Sequence, residues 1–284
     1  MIRSPALRKF VDLSSSVMPL AEDALLYHYT TQNALECIIK GGRLRLTHIS
    51  EFEDTSEWQL AFDMLSAKLD TAVFSNKDEN IVEGLREHIS NRKQEWAKGT
   101  DTGEVFVSSF TPIKNSVKHW EEYGAAGNGV CFGLSFKESC SPFVDGSLGA
   151  LGVCLYEDAQ KDEVINALFE EFLHILQTRN QEERIHLARH FIVNVDIIAP
   201  FFKEKKYSEE QEFRFACVPT EHNTGQLLRE DDHCYLLFNH YVNAILPIKE
   251  LMIGRNVNKL GVSNTIESLM KEHNYNDVRI TYCE

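Results

Sequence analysis

Short runs of apolar and aromatic residues occur near both ends of the chain, and longer stretches with helical periodicity separate them. Runs of four to eight such residues are typical of strands, whereas apolar residues at i, i+3, i+4 and i+7 are typical of amphipathic helices. Strands are predicted at 25–30, 43–47, 104–111, 129–136, 151–157, 212–218, 235–238, 250–254 and 278–283. Helices are predicted after a cap at Thr30 or Thr31, at 54–72, around 81–89, at 158–199 and at 262–273, with a short one carrying Trp120. This order predicts an α+β fold.

The sequence shows no internal repeat of 20 to 50 residues and no linker rich in Pro, Gly or Ser. We therefore expect a short helical or irregular lead-in over residues 1–24 and a single α+β domain over residues 25–284. The helical stretch at about 158–199 has two apolar faces, so it could form a lid, a dimer surface or a second layer of core.

The chain is acidic, with 29 Lys and Arg residues against 43 Asp and Glu residues and a net charge of −14. Such a field repels phosphate backbones and anionic lipids, which argues against a nucleic-acid partner without a local basic patch. The longest apolar stretch, 191–202, is far shorter than the roughly 20 residues of a membrane-spanning helix. The N-terminus lacks the apolar centre of a signal peptide, and the seven cysteines form no CxxC pair. We expect a cytoplasmic protein with reduced thiols and no membrane partner.

Three motifs have ordinary structural interpretations. The glycines of GAAGNG (124–129) precede a predicted strand, whereas a dinucleotide-binding loop follows one, so a turn is the better interpretation. His186 and His190 lie one helical turn apart, but Leu187 occupies the place of a zinc protease's glutamate, which favours a solvated or partly buried pair. The histidines and cysteine at 222, 233, 234 and 240 leave open a metal-dependent hydrolase or nuclease, although we expect no metal.

A further set of polar residues lies at the ends of predicted strands. In a strand, residues i and i+2 face the same way, so Glu210, Glu212 and Arg214 would share a face. Two adjacent carboxylates favour a proton, a cation or a developing positive charge, and Arg214 would moderate this effect. The alternative is an exposed edge strand with solvated charges.

Five blocks of sequence, in this order, resemble a widespread and mostly bacterial family of domains of unknown function. The blocks are LYHYTT followed by a helix and GGRLRLTHISEFEDTSE; VFVSSFT; HWEEYGAAGNGVCFGLSF; KEKKYSEEQEFRF; and ELMIGRNVNKLGVSNTIESLMKE. They span residues 26 to about 272, and the third and fourth blocks are the most specific.

That family in turn resembles the ADP-ribosyltransferases, in which a split pair of mixed β-sheets grips NAD in a cleft. The resemblance implies that His28 contacts the ribose, that Ser108 and Ser109 supply supporting hydroxyls, and that Tyr123 packs on nicotinamide. It implies that Glu210 and Glu212 form the catalytic pair, with Glu212 the principal residue. The other residues placed at the NAD site are Tyr27, Tyr29, Trp120 and Arg214. Trp120, Tyr123 and His28 also have an alternative interpretation as core residues.

Two hypotheses of function follow from this resemblance. The first is an NAD-consuming enzyme that transfers ADP-ribose to an unknown macromolecular acceptor or hydrolyses NAD, with NAD as substrate. The second is a non-catalytic module of a bacterial defence or toxin system that binds a nucleotide or a protein partner.

Overall fold

The computed structural model describes residues 4–52, 56–97, 105–135, 148–178, 180–218, 227–230, 233–238, 245–257 and 259–283. Its α-helices are α1 (Pro5–Val17), α2 (Gln32–Gly41), α3 (Ser56–Thr71), α4 (Glu79–Ala97), α5 (Val117–Glu122), α6 (Asp158–Thr178), α7 (Gln181–Ile198) and α8 (Lys259–Glu272). Its strands are β1 (Leu25–Thr30), β2 (Leu44–His48), β3 (Phe106–Phe110), β4 (Val130–Ser135), β5 (Leu148–Val153), β6 (Phe213–Val218), β7 (Leu227–Glu230), β8 (His233–Phe238), β9 (Ile248–Ile253) and β10 (Arg279–Tyr282). The predicted α+β class is confirmed.

The strands form two sheets. The first has the order β1-β4-β9-β10 and is mixed, because β9 and β10 are parallel while the other pairs are antiparallel. The second has six antiparallel strands in the order β5-β6-β3-β2-β8-β7. Most neighbours within each sheet are distant in the chain, so the sheets bring together residues that local patterns cannot relate.

Local capping explains where several helices begin. The Ser4 side chain accepts a hydrogen bond from the backbone N–H of Leu7, and Pro5 occupies the first helical position of α1. Thr31, one of the two predicted caps, accepts from the N–H of Ala34 at the start of α2. This helix ends at Gly42 in the left-handed conformation, with φ 58°.

The helices α1 and α7 pack on the six-stranded sheet around β5 and β6, and α6 packs on both of these helices. Within α1, which lies in the predicted lead-in, Phe10 is fully buried, and the Ser14 hydroxyl accepts from the N–H of Val153 at 2.7 Å. The predicted helical stretch at 158–199 divides into α6 and α7, joined at Asn180, which caps α7. Phe172 and Val195 are buried in the core, so this stretch forms a second layer of core, one of its three expected roles.

The two sheets meet where β1 passes the end of β3. Tyr27 and Thr111 exchange two backbone hydrogen bonds, of 2.7 and 2.9 Å, which form an isolated antiparallel bridge. Since β1 belongs to one sheet and β3 to the other, this bridge places the middle of β1 beside the end of β3. In the part of the chain that the structure describes, no helix is both long and apolar enough to span a membrane.

Candidate functional site

A cleft of about 1030 Å³ opens at this junction of the two sheets. Strand β1 contributes Tyr27, His28 and Tyr29 to its lining, and the six-stranded sheet contributes Ser109 and Arg214. Tyr123 and both predicted carboxylates, Glu210 and Glu212, also line the cleft. Residues from separate blocks of the sequence therefore converge at one place.

The carboxylate pair is not arranged as a strand. Glu210 ends a short 3-10 helix, Lys205–Glu210, and Gln211 adopts the left-handed conformation with φ 45° before β6 begins at Phe213. The prediction that Glu210, Glu212 and Arg214 share one strand face is therefore wrong in its geometry. The turn at Gln211 nevertheless leaves both carboxylates in the cleft.

The two carboxylates are joined by a lysine that sequence reasoning missed. Lys203 Nζ donates to Oε2 of Glu210 and to Oε2 of Glu212, both at 2.7 Å. A parallel bridge between Leu155 and Phe202 holds this lysine in place, with the N–H of Lys203 donating to the carbonyl of Leu155 at 3.1 Å. Lys203 follows the described helical layer and precedes the 3-10 helix, and no local pattern predicts its burial.

Arg214, the second residue of β6, completes the network. Its Nε donates to Oε1 of Glu212 at 2.8 Å and its Nη2 to Oε2 at 2.9 Å, which is the bidentate geometry of a strong ion pair. Glu210, Glu212 and Arg214 are 4%, 7% and 1% exposed, and β6 lies between β5 and β3. The alternative of an exposed edge strand with solvated charges is therefore wrong.

These contacts control the ionisation of Glu212. Burial disfavours the charged carboxylate, but the positive charges and hydrogen bonds of Arg214 and Lys203 outweigh it and lower the pKa of Glu212 to about 2. Glu212 is therefore negatively charged at neutral pH, and both of its oxygens have cationic partners.

Glu210 differs from Glu212 in the exposure of one partner. Its Oε1 accepts from Lys118 Nζ at 3.1 Å, and the Lys118 side chain is 36% exposed at the cleft. Its backbone carbonyl accepts from the Thr111 hydroxyl at 2.9 Å, which ties the carboxylate to the bridge between the sheets. Because Lys118 can reach solvent, a ligand can displace it from Glu210 more easily than it can displace Arg214 from Glu212.

His28 presents a defined tautomer to the cleft. Its Nδ1 lies 2.9 Å from the Ser109 carbonyl, which can only accept, so Nδ1 carries the proton and Nε2 of the neutral ring is an acceptor. Burial lowers the pKa of His28, although the hydrogen bond to Ser109 opposes this effect. The ring packs against Phe110 and Phe132, so it is partly a core residue and partly a cleft residue.

Two predicted site residues lie outside the cleft lining. Ser108 is buried, and its hydroxyl has no hydrogen-bond partner. Because side chains alternate along β3, Ser108 points away from the cleft that Ser109 lines. Trp120 is 2% exposed, and its Nε1 donates to Asn115 Oδ1 at 2.9 Å. The core interpretation of Trp120 is confirmed, whereas Tyr123, three residues later, is half exposed at the cleft.

His119 is a second histidine of the cleft, and it was not predicted. It is 4% exposed and stacks on Tyr29 with ring centroids 5.3 Å apart. Its Nδ1 is buried without a hydrogen-bond partner. Burial lowers its pKa, although the nearby charge of Glu210 raises it. The sequence signal that could have predicted His119 at the cleft is its position next to Trp120 in the block HWEEYG.

The remaining motifs behave as their ordinary interpretations predicted. Residues Ala125–Gly127 form a 3-10 turn before β4, and a Cβ on Gly129 would lie 2.2 Å from the Thr30 carbonyl, so this glycine allows two chains to approach closely. His186 and His190 form an exposed pair on α7, with Nε2 atoms 3.2 Å apart.

A metal site in a protein needs a cluster of side chains such as His, Cys, Asp and Glu. Among the residues whose positions are described, no group of three or more His, Cys, Asp or Glu side chains is placed to hold a metal ion. His222 and His240, from the late histidine cluster, lie outside the described residues, and His233 and Cys234 begin β8.

Comparison with known proteins finds one family model that matches part of the chain. Residues 119–215 match the model of the family described as "Protein of unknown function (DUF2971)", which confirms the predicted relation to a domain of unknown function. The matched segment contains His119, Tyr123 and the buried network of Lys203, Glu210, Glu212 and Arg214, whereas Lys118 and β1 with His28 precede it. No curated protein and no solved structure matches the chain.

Proposed function

We propose that the cleft binds NAD as a substrate and breaks the bond between nicotinamide and its ribose, so that ADP-ribose passes to an acceptor or to water. In this proposal the two sheets correspond to the split sheets of the ADP-ribosyltransferase fold. One observation carries the proposal: residues implied by that resemblance in three distant parts of the chain, His28, Tyr123 and the Glu210–Glu212 pair, line one cleft.

The size and lining of the cleft suit a ligand of this kind. Ligand pockets commonly measure about 300–1,000 Å³, and this cleft of about 1030 Å³ is slightly larger than that range. Tyr123 and Tyr207 offer aromatic faces for a base or the nicotinamide ring, and Lys118 and Lys206 offer positive charge for phosphates. A dinucleotide such as NAD contains both the aromatic rings and the phosphates that these side chains can contact.

The carboxylates would stabilise the reaction at the sugar. Cleavage of the nicotinamide–ribose bond develops positive charge on the ribose, and a carboxylate beside the ring stabilises that charge in the transition state. The resemblance assigns the principal role to Glu212. The contacts favour Glu210 as the carboxylate that touches the ribose, because the partner of its Oε1, Lys118, can move into solvent. Glu212 then holds the buried cations of the network in place.

His28 would position the ribose. The acceptor lone pair on Nε2 of the neutral ring can receive a hydrogen bond from a ribose hydroxyl, and the Ser109 carbonyl holds the ring in the required tautomer. Nicotinamide leaves as a neutral molecule, so its departure requires no general acid.

Nicotinamide release from NAD by the purified protein tests this proposal. We expect wild-type turnover, and a loss of about 10²–10³-fold in Glu210→Gln, as for the removal of other preorganised charges from active sites. His186→Gln, on the exposed face of α7, is the matched control and should leave turnover unchanged. If well-folded Glu210→Gln and Glu212→Gln both kept full turnover, or if the wild type neither bound nor consumed NAD, the proposal would be wrong.

The second candidate function is a module that binds a nucleotide without reacting. A specific observation favours it: each carboxylate oxygen of Glu210 and Glu212 contacts a lysine or arginine, so the negative charge needed at the ribose is already partnered. Stoichiometric binding of NAD with no nicotinamide release, in the presence of candidate acceptors, would support this function over the first.

A further inference from the structure

The four cations that line the cleft fall into two groups. Lys203 and Arg214 have side chains that are 6% and 1% exposed, and both are committed to Glu212. Lys118 and Lys206 have side chains that are 36% and 59% exposed. Only a cation that reaches solvent can exchange its partner for a ligand without leaving a buried charge uncompensated, so Lys118 and Lys206 are the two available to an incoming anion.

The cleft is much less negative than the chain as a whole. Its lining contains four cations and four carboxylates: Lys118, Lys203, Lys206 and Arg214, with Glu51, Glu122, Glu210 and Glu212. The complete chain carries a net charge of −14. An anionic ligand therefore meets less repulsion at the cleft than over the average surface.

Lys118 connects anion binding to the carboxylate pair. It lies on α5, and its Nζ is 3.1 Å from Oε1 of Glu210. The other oxygen of Glu210 is held by buried Lys203, so Oε1 is the atom that becomes free when Lys118 moves. A phosphate group is a strong competitor for Lys118, because it offers several charged acceptor oxygens against one oxygen of Glu210.

We propose that Lys118 makes the cleft selective for ligands with a phosphate next to the ribose: the phosphate takes Lys118 from Glu210 and thereby frees Oε1 of Glu210 for the sugar. This inference rests on the proposed function and specifies its substrate class as phosphorylated nucleotides. A nucleoside without the phosphate leaves the Lys118–Glu210 pair in place and meets a covered carboxylate.

The comparison of two substrates that differ by one phosphate tests the inference. Nicotinamide mononucleotide and nicotinamide riboside contain the same nicotinamide–ribose bond, and only the first has a 5′-phosphate. We expect wild-type kcat/KM for nicotinamide release to favour the mononucleotide by about tenfold or more, the usual worth of a hydrogen bond between charged groups. Lys118→Met should lower kcat/KM for the mononucleotide and raise it for the riboside.

These opposite changes separate the proposed role from a loss of folded protein, which would lower both values together. Lys205→Met is the matched control, because Lys205 is an exposed lysine paired with Glu157 outside the cleft lining, and it should change neither value. Lys118→Arg keeps the positive charge and should keep the preference for phosphate. An unchanged preference in Lys118→Met, or an equal fall for both substrates, would overturn the inference.

A failure of the proposed function gives a different result. If the wild type released nicotinamide from neither compound nor from NAD, the proposed reaction would be wrong, and calorimetric binding of the two compounds would then decide the role of Lys118. Tighter wild-type binding of the mononucleotide, lost in Lys118→Met, would support phosphate selection in a non-catalytic module. Equal wild-type binding of both compounds would overturn it.

Discussion

Among the described residues, two groups of charged side chains around buried carboxylates lie near β1 and differ in where their cations lie. The cleft cluster consists of Glu210, Glu212, Lys203, Arg214 and Lys118. The sheet cluster surrounds Glu250 of β9, which is 2% exposed and accepts hydrogen bonds from Tyr27 Oη at 3.1 Å, Lys114 Nζ at 2.5 Å and Arg279 Nη2 at 2.8 Å. Both clusters touch β1 or its bridge to β3, and both lower the pKa of a buried carboxylate.

The exposure of the cations separates the roles of the two clusters. In the cleft cluster Lys203 and Arg214 are almost fully buried and Lys118 alone reaches solvent, with a side chain 36% exposed. In the sheet cluster both cations, Lys114 and Arg279, reach solvent, with side chains 35% and 69% exposed. Exposed partners are screened by salt and contribute little individually, while a buried partner cannot be removed without leaving an unpaired charge. The cleft cluster therefore holds a fixed charge pattern at a potential binding site, and the sheet cluster joins strands.

The largest predicted effect is that of Glu212→Gln. This change leaves buried Arg214 and Lys203 without their common carboxylate, and we expect a loss of about 3–5 kcal/mol in the free energy of unfolding at pH 7. Denaturation in urea, followed by circular dichroism, measures this loss. A loss below about 1 kcal/mol would mean that the buried ion pairs of Glu212 contribute little to the free energy of unfolding.

The pH dependence of that loss has a defined sign. The folded pKa of Glu212 is about 2, below its ordinary value of 4.5, so its stabilisation is complete above pH 4.5 and is lost as the pH falls from 4.5 towards 2. This difference corresponds to about 3 kcal/mol. We therefore expect the gap between wild type and Glu212→Gln to narrow between pH 5 and pH 3, and a constant gap would contradict the assignment.

Lys203→Met should have the next largest effect. It leaves Glu210 and Glu212 near each other without the shared cation, and we expect a loss of about 3 kcal/mol at pH 7. Removal of the cation raises the folded pKa of Glu212 relative to wild type, so the loss should decrease as the pH falls and this carboxylate becomes protonated. Urea denaturation at pH 7 and pH 4 measures this, with Lys205→Met as an exposed-lysine control that stays within about 0.5 kcal/mol of wild type.

Lys203 also marks the limit of what the sequence predicts. The bounds of β1 and the polar ends of β3 and β6 follow from local patterns, whereas the resemblance to the ADP-ribosyltransferases places His28, Ser109 and Arg214 at one site. A lysine in a charged run such as KEKKYSEE is typically exposed. Lys203 is buried because the bridge between Leu155 and Phe202 places it in the interior. That bridge joins residues 47 positions apart, and no periodicity encodes it.

The same reason explains the incorrect alternative for β6. Its charged start resembles an exposed edge strand, but β6 is flanked by β3 and β5, which come from about 100 and 60 residues earlier in the chain. Trp120 is a different case, because the resemblance places it at the NAD site together with Tyr123. Trp120 lies within α5 and is buried in the core, whereas Tyr123, directly after the helix, is half exposed at the cleft.

Tyr27→Phe tests the sheet cluster and should have an intermediate effect. The Tyr27 hydroxyl donates to the charged carboxylate of Glu250, and its loss should cost about 2 kcal/mol in urea denaturation. Tyr29→Phe is the comparison on the same strand, because its hydroxyl bonds only neutral backbone groups: it donates to the carbonyl of Ile113 at 2.9 Å and accepts from the N–H of Ser116 at 3.2 Å, and its loss should cost about 1–2 kcal/mol. A larger loss in Tyr29→Phe than in Tyr27→Phe would show that Glu250 gains little from this donor.

The smallest predicted effect is that of Arg279→Ala, and its dependence on salt distinguishes the two clusters most directly. Arg279 approaches Glu250 from solvent, so we expect a loss of about 0–1 kcal/mol at low ionic strength. In 1 M NaCl the screening length falls to about 3 Å, and this loss should disappear. The loss in Lys203→Met should persist at the same salt concentration, because the ions cannot enter the buried contacts of Glu210 and Glu212. If salt removed both losses equally, the cleft carboxylates would be in contact with solvent, and the fixed charge pattern on which Lys118 acts would not exist.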